Sequence, residues 1–177
     1  MNFYTADLHF YHTNIIKYED RPFKDAIEMN ETLIANWNKK VKRGDSIYIL
    51  GDFAFTSAAN VGALLDRLNG NKYLIKGNHD SFLRDGGSEI RKFIWIKDYA
   101  RIKDNGYDVI LFHYPIAVFD KQHHGAIHLY GHIHSNGRTR HPLTVNIENA
   151  YNVGVDVWNF EPVTLKEILN HNNLKET

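Results

Sequence analysis

Five short blocks of the chain carry the kinds of side chain that bind metal ions. In order, they are Asp7-Leu8-His9, Gly51-Asp52, Gly77-Asn78-His79-Asp80, His113 and Gly131-His132-Ile133-His134. Each block follows a short apolar run, so its donors come where a strand passes into a loop, and α/β proteins build their sites at such strand ends. Nitrogen and oxygen donors that converge from several strand ends predict a hydrolase with two metal ions.

A two-metal site for phosphoryl chemistry holds its ions about 3.5–4 Å apart and clamps both the attacking and the leaving oxygen. Such a site needs roughly seven protein ligands. A carboxylate has two oxygens, so Asp52 is suited to bridge the ions. The donors in the blocks supply the ligands: Asp7, His9, Asp52, Asn78, His113, His132 and His134.

Taken singly, the blocks have ordinary structural explanations. Gly51-Asp52 is a common turn dipeptide, and His113 could be a histidine with satisfied hydrogen bonds at the end of a strand. An Asp-x-His triplet is also a weak signal alone. The joint order of the blocks, each after a predicted strand, favours a metal site over these alternatives.

Hydrophobic periodicity predicts the elements that must position the blocks. Amphipathic helices are expected at residues 25–41 and 57–68. They separate three short apolar strands, each followed by one of the first three blocks, at residues 2–6, 46–50 and 72–76. This β-α-β-α-β order indicates an α/β protein.

The second half of the chain follows a different pattern. Asn105-Gly106 lies between extended stretches at residues 94–103 and 107–112, which is a strong hairpin signal. Further strands are expected at residues 127–130, 144–147 and 151–155. A Thr-x-x-Glu capping box at Thr164 predicts a final helix over residues 164–170.

Composition limits the class of protein. The 177 residues fit one domain, and their hydrophobic content of 43% is ordinary for a globular protein. There is no cysteine, which excludes disulfides, thiolate nucleophiles and Cys-based zinc sites. No apolar run reaches the roughly 20 residues that span a membrane. Cleavage of a leader would remove Asp7 and His9, so a cytoplasmic location is expected.

The five blocks together resemble the signature of the calcineurin-like metallophosphoesterase superfamily, which runs Asp-x-His, Gly-Asp, Gly-Asn-His-Asp/Glu, His and Gly-His-x-His. All five are complete between residues 7 and 134. The resemblance implies a single domain over residues 1–177. It also implies an α/β (α+β) fold, namely a four-layer α/β/β/α sandwich of two mixed β-sheets flanked by helices.

The resemblance further implies how the ligands are shared. The first metal ion would be held by Asp7, His9, Asp52 and His134. The second would be held by Asp52, Asn78, His113 and His132, with Asp52 as the bridge. The ligand set of imidazole, carboxylate and amide favours Mn, Fe, Zn, Co or Ni over Ca or Mg, and Mn is preferred because it is a common activator in the family.

Two neighbours of the ligands take other roles by the same resemblance. His79 would be the general acid for the leaving alkoxide, or would stabilise charge in the transition state, in a direct in-line attack by a hydroxide that bridges the ions. Asp80 would lie behind the ligands and orient a neighbouring group. The alternative is that Asp80 only caps the next helix.

Residues 7–16 with Arg21-Pro22-Phe23, and residues 152–156 with Pro162-Val163, resemble a subgroup of small bacterial and phage phosphoesterases. In that setting His12 and Arg21 could reach a substrate phosphate or base, because an Arg fork suits phosphate. The alternative is an ion pair at Arg21 and a local hydrogen bond at His12.

The favoured function is a phosphodiesterase for a small phosphorylated or nucleotide-like substrate, because so short a chain has no cap domain to select a large partner. A nucleotide phosphomonoesterase or pyrophosphatase is the alternative. Lys plus Arg equals Asp plus Glu at 21 each, which argues against an extended nucleic-acid partner. A non-catalytic protein-binding scaffold is disfavoured because no ligand of the signature is lost. The sequence leaves open whether the protein forms a homo-oligomer.

Overall fold

The computed structural model describes residues 1–134 and 147–173, which form two four-stranded sheets flanked by helices. The first sheet is parallel throughout, with its strands in sequence order. Its strands are β1 (Asn2–Thr5), β2 (Ser46–Leu50), β3 (Asn71–Ile75) and β4 (Trp95–Lys97). All four therefore end at the same edge of the sheet.

Helices connect these strands and cover the outer face of the first sheet. They are α1 (Thr13–Tyr18), α2 (Ala26–Lys40), α3 (Ala58–Arg67) and α4 (Phe82–Asp85). Asp25 caps α2 by accepting a hydrogen bond of 2.8 Å from the backbone N of Glu28. Trp37 of α2 and Val61 of α3 are fully buried and share one apolar cluster with Ile47 of β2, so this packing fixes the helices on the sheet.

The second sheet is mixed. Its strands are β5 (Tyr99–Asp104), β6 (Tyr107–Phe112), β7 (Ile127–Tyr130) and β8 (Ala150–Asn152). β5 and β6 form an antiparallel hairpin, whereas β6, β7 and β8 are parallel neighbours. Parallel β6 and β7 end side by side, so the residues after them emerge at one edge.

A row of aromatic rings lies between the two sheets. Tyr4, Tyr48, Tyr73 and Trp95 are register partners across the first sheet, and successive ring centroids are 5.6, 4.8 and 5.2 Å apart. Tyr4 also donates a hydrogen bond of 2.8 Å to Asp104 of β5. These contacts bind the inner faces of the sheets into a single core.

The expected fold class is confirmed, with one difference in detail. The first sheet is parallel and not mixed, because helices return the chain between its strands in the same direction. On the outer face of the second sheet, Ile110 packs with Phe119 and Ala126, and the partly buried Ile116, Ile147 and Ala150 lie against them.

Several predicted elements are confirmed, and two are wrong in their bounds. Residues 94–103 form two strands in different sheets, β4 and β5, and the expected strand at 151–155 stops at Asn152. The expected strand at 144–147 falls almost wholly outside the described residues. The final helix, α5 (Leu165–Asn173), begins with the predicted capping box between Thr164 and Glu167. Within the described ranges, no helix has the length and apolar character needed to cross a bilayer.

Candidate metal centre

The five sequence blocks meet where strands of both sheets end. Asp7 and His9 follow β1, Asp52 follows β2, and Asn78 follows β3 in the first sheet. From the second sheet, His113 follows β6, and His132 and His134 follow β7. Residues up to 127 positions apart in the chain are thereby brought into one cleft.

Two groups of side chains in this cleft could each hold a metal ion. One group is Asp7, His9 and His134, and the other is Asp52, His113 and His132; within each group the ligand atoms lie within 4.8 Å of one another. Oδ2 of Asp52 is 3.6 Å from Nε2 of His9 and 3.6 Å from Nε2 of His113. Asp52 therefore lies between the two groups.

The hydrogen bonds of His113 leave its ligand atom free for a cation. Nδ1 donates to the carbonyl of Leu50 at 2.7 Å, and burial lowers the pKa of the ring, so Nε2 keeps its lone pair. That lone pair faces two oxygens, Oδ1 of Asn78 at 3.0 Å and Oδ2 of Asp52 at 3.6 Å. Nε2 of His113 and these two oxygens are all acceptors, so a cation bound between them would give each of them a partner.

The first group also fits a cation. Nε2 of His9 is buried and has no hydrogen-bond partner among the described residues. Burial is the main cause that raises the pKa of Asp7 to about 8, and the nearby charge of Asp52 adds to the effect. Unpartnered nitrogen and crowded buried carboxylates are costly without a positive charge among them, so the residues present fit a metal ion.

Four of the expected ligands have a left-handed backbone, which is uncommon for residues other than glycine. Asp7, His9, Asp52 and His132 have φ angles of 56°, 51°, 53° and 68°. Hydrogen bonds between loops hold this geometry, since the backbone N of His9 donates to the carbonyl of Asp52 at 2.9 Å. Strain of this kind persists where the surroundings over-determine it, and it clusters at functional sites.

Asp80 joins two of the ligand loops. Its carboxylate accepts hydrogen bonds from the backbone N of Gly77 at 2.8 Å, of Asp52 at 3.1 Å and of Phe53 at 2.7 Å. Burial raises its pKa to about 6, against the effect of these donors. The carboxylate thus orients the loops after β2 and β3, and it does not cap α4.

Arg21 lies beneath the centre and not at its surface. Its buried guanidinium donates to both oxygens of Asp156 at 2.8 and 3.0 Å, and to the carbonyls of Asp7 at 2.7 Å and Leu8 at 3.0 Å. A side chain with these four bonds is not free to bind substrate. The expected phosphate contact therefore disagrees with the position of Arg21, which instead supports the loop that carries Asp7 and His9.

Asp156 is a site residue that the motifs did not single out. Besides Arg21, it binds Nδ1 of His134 at 2.8 Å, which leaves the other ring nitrogen of His134 for a metal ion. Burial alone would lower the pKa of His134, but this bond and the charge of Asp7 raise it. The block at residues 152–156 was a signal in the sequence, yet its local pattern does not reveal a partner 22 residues away.

His79 and His12 lie at the open side of the first group. The side chain of His79 is exposed, its ring centroid is 5.5 Å from that of His9, and its backbone N donates to Oδ1 of Asp52 at 2.8 Å. The ring of His12 is also 5.5 Å from that of His9. The exposed imidazole of His79 can therefore face a molecule bound over the ligands, whereas His12 is half-buried and its Nδ1 is buried.

Comparison with known proteins finds relatives that match most of this chain. No family model matches the chain. The uncharacterized protein MJ1445 of Methanocaldococcus jannaschii is 39% identical over 166 residues, which cover 93% of this chain and 86% of that protein. The Gene 66 protein of Mycobacterium phage L5 is 30% identical over 187 residues, with 88% and 86% covered.

Solved structures agree with the fold. The protein of unknown function AQ665 from Aquifex aeolicus has a TM-score of 0.76 and 26% identity, and the similarity covers 96% of this chain and 98% of that one. Similarity to Vacuolar Protein Sorting 29 from Cryptosporidium parvum is weaker, with a TM-score of 0.45 and 16% identity over 85% of this chain and 72% of that one. On the sequence identity over most of both lengths, the chain belongs to the protein family that includes MJ1445 and the Gene 66 protein.

Proposed function

We propose that the protein is a dinuclear metallophosphoesterase that hydrolyses phosphodiester bonds of small or nucleotide-like substrates. The observation that carries this proposal is the position of Asp52, whose Oδ2 is 3.6 Å from a ligand nitrogen of each metal group. A carboxylate shared by two Asp/His groups suits the pair of ions that phosphoryl transfer uses to stabilise the attacking and leaving oxygens.

The ligands divide as their positions suggest. Asp7, His9 and His134 would hold one ion, His113, His132 and Asn78 would hold the other, and Asp52 would bridge them. Two divalent ions bound there would supply Lewis acidity at the phosphate oxygens and would acidify the attacking water. We expect Mn first, with Fe, Zn, Ni or Co as alternatives, because the donors are imidazole, carboxylate and amide.

His79 is the proposed general acid. Its imidazole is exposed beside the first group, while its backbone is tied to Asp52, so the ring is positioned but not consumed by structural bonds. In an in-line displacement the leaving alkoxide departs opposite the attacking water. A histidine that gives this oxygen a proton lowers the barrier most when the alcohol is a poor leaving group.

Metal-dependent hydrolysis of two model esters tests the proposal. Metal-stripped protein with Mn added back would be assayed with bis-p-nitrophenyl phosphate, a diester, and with p-nitrophenyl phosphate, a monoester. Asp52→Asn should abolish turnover. Asp98→Asn is the matched control, because Asp98 is an exposed carboxylate at the sheet edge that pairs with Lys76.

Each outcome of this assay decides between functions. Mn-dependent turnover of the diester that is lost only in Asp52→Asn supports the phosphodiesterase. Turnover of the monoester alone overturns it in favour of a nucleotide phosphomonoesterase or pyrophosphatase. Two bound ions without turnover of either ester would favour a protein-binding scaffold.

A further inference from the structure

An aromatic patch beside the first metal group combines two exposed rings with one that is half-buried. The patch consists of His12, Tyr18 and Phe55; Tyr18 is 53% exposed and Phe55 is 49% exposed, whereas His12 is half-buried. The ring of His12 contacts both others, with its centroid 4.6 Å from that of Phe55 and 6.3 Å from that of Tyr18. Large aromatic side chains are usually buried, so exposed ring surface beside a candidate site needs an explanation.

The patch adjoins the residues that would carry out the chemistry. The centroid of His12 is 5.5 Å from that of His9, an expected ligand. The centroid of Phe55 is 6.4 Å from that of His79, the proposed general acid. A molecule whose phosphate lies over the metal groups would therefore carry its nearest substituent onto the patch.

The backbone holds the patch in place. The backbone N of Phe55 donates to the carbonyl of Phe10 at 2.8 Å, and that of Phe10 donates to the carbonyl of Phe53 at 3.0 Å. The backbone N of His12 donates to the carbonyl of His9 at 3.1 Å. The ring surface is thus fixed to the ligand loops themselves, which reduces the entropy lost when a ring packs on it.

Tyr114, beside the second metal group, has a different environment. It packs edge-on against His132, with ring centroids 4.6 Å apart, and its hydroxyl donates toward Oδ1 of Asn78 at 3.4 Å. Its hydroxyl is therefore engaged with the second metal group. Phe55 is the more exposed ring, at 49% against 37% for Tyr114, and it has no hydroxyl, so it is better suited to stack on an apolar surface.

We infer that the aromatic patch stacks against a planar ring of the substrate, so that the natural substrates are nucleoside or aryl phosphate esters and not alkyl or sugar phosphates. The inference rests on the proposed function, because it assumes that a phosphate ester occupies the cleft. Stacking of one base on an aromatic side chain typically raises affinity by roughly tenfold or more. It tolerates different bases, since every base has a π face.

Binding of two related probes tests the patch without turnover. Adenosine 5′-monophosphate and ribose 5-phosphate share the phosphate and the sugar and differ in the ring. Their affinities for the Mn-loaded protein would be measured by calorimetry. We expect the nucleotide to bind roughly tenfold more tightly, and we expect Phe55→Leu to reduce this preference to about threefold or less.

Variants of known position make the test specific. Tyr107→Leu is the matched control, because Tyr107 is 42% exposed against 49% for Phe55 but lies at the opposite end of β6 from His113; it should keep the full preference. Phe55→Trp retains a ring and should also keep it. Equal affinity for the two probes in the unmodified protein, or an unchanged preference in Phe55→Leu, would overturn the inference.

The two proposals can fail separately. Turnover of bis-p-nitrophenyl phosphate without any preference for the nucleotide would overturn the stacking surface and leave the phosphodiesterase standing. A nucleotide preference that depends on Phe55, in a protein that hydrolyses neither model ester, would keep the stacking surface and overturn the proposed reaction.

Discussion

Burial acts on the histidines of the cleft in a way that would favour metal binding. Burial is the main cause that lowers the pKa of His9, His113 and His132. A neutral imidazole can bind a cation without first losing a proton, so this burial favours metal binding at neutral pH. For His113, the bond to the carbonyl of Leu50 also fixes which nitrogen carries the lone pair.

Asn78 is the ligand that should distinguish the two metal positions. Its Oδ1 faces Nε2 of His113 at 3.0 Å, and it belongs with the second group only. Asn78→Ala should weaken one ion roughly tenfold or more and leave the other bound. Metal content after dialysis against graded Mn concentrations measures this. Equal loss of both ions would show that the division of ligands is wrong.

His79 should separate chemistry from metal binding. Because the bond from His79 to Asp52 uses the backbone N, His79→Ala removes the imidazole and keeps that bond. We expect both ions to remain and the rate to fall by about 10²–10⁴ for alkyl leaving groups, with a smaller fall for p-nitrophenol. A variant that loses a metal ion, or that slows both kinds of ester equally, would refute the proposed role as general acid.

A substitution at Arg21 tests whether this residue supports the loop that carries Asp7 and His9 or contacts the substrate. Arg21→Gln removes the guanidinium from the buried carboxylate of Asp156 and leaves it with His134 alone, and breaking a buried ion pair costs about 3–5 kcal/mol. We therefore expect a large drop in the free energy of unfolding of the metal-free protein, measured in urea. An unchanged stability together with a raised KM would restore the phosphate contact expected from the sequence.

At the scale of elements, the loops that carry the expected ligands approach each other closely at their glycines. A Cβ atom added at Gly131 would lie 2.5 Å from Cβ of Ala6 and 2.6 Å from Oδ2 of Asp7. One added at Gly77 would overlap the carboxylate of Asp52. Each of these motifs therefore needs glycine to leave room for a ligand that belongs to another motif.

Gly131→Ala should disturb the first metal group through this contact. The added methyl would displace Asp7, at a cost of about 1–3 kcal/mol for overpacking, and should lower Mn affinity. Gly44→Ala is the matched control, because nothing lies within 4 Å of its added Cβ. Both variants would be compared by Mn titration. Equal Mn affinities would show that the loop after β7 relaxes without moving Asp7.

The elements that carry strong local signals were predictable. Asp25 marks the start of α2, and Asn105 and Gly106 form the expected hairpin turn with φ angles of 48° and 88°. The break between β4 and β5 was not predictable, because a single residue separates the two strands and no glycine or proline marks a turn there. Only tertiary packing decides that the chain leaves one sheet at Asp98 and enters the other.

The candidate metal centre was also predictable only where the sequence carries a local pattern. The five blocks could be brought together from sequence, since parallel strands that end at one edge must place their following residues close together. The bond between Arg21 and Asp156 joins residues 135 positions apart. An ion pair at that separation leaves no local pattern, so the support of the first metal group emerged only from the structure.

For the whole molecule, the centre depends on the contact between the two sheets. The first sheet supplies Asp7, His9, Asp52 and Asn78, whereas the second supplies His113 and the histidines after β7. The aromatic row from Tyr4 to Trp95 packs where the sheets meet. The metal groups therefore exist only when the sheets are docked in their final relation.

This division has a consequence for folding kinetics. Contacts between residues so distant in the chain form late, because loop closure must come first. Bound Mn should stabilise the native state by about 2.7 kcal/mol per site at a free concentration of a hundred times Kd. Because the ligands come together late, this stabilisation should appear almost wholly as slower unfolding. Stopped-flow urea jumps with Mn or with a chelator measure both rates. Faster folding with an unchanged unfolding rate would mean that the ligands assemble early, and that the metal ions guide the sheets together instead of locking them once joined.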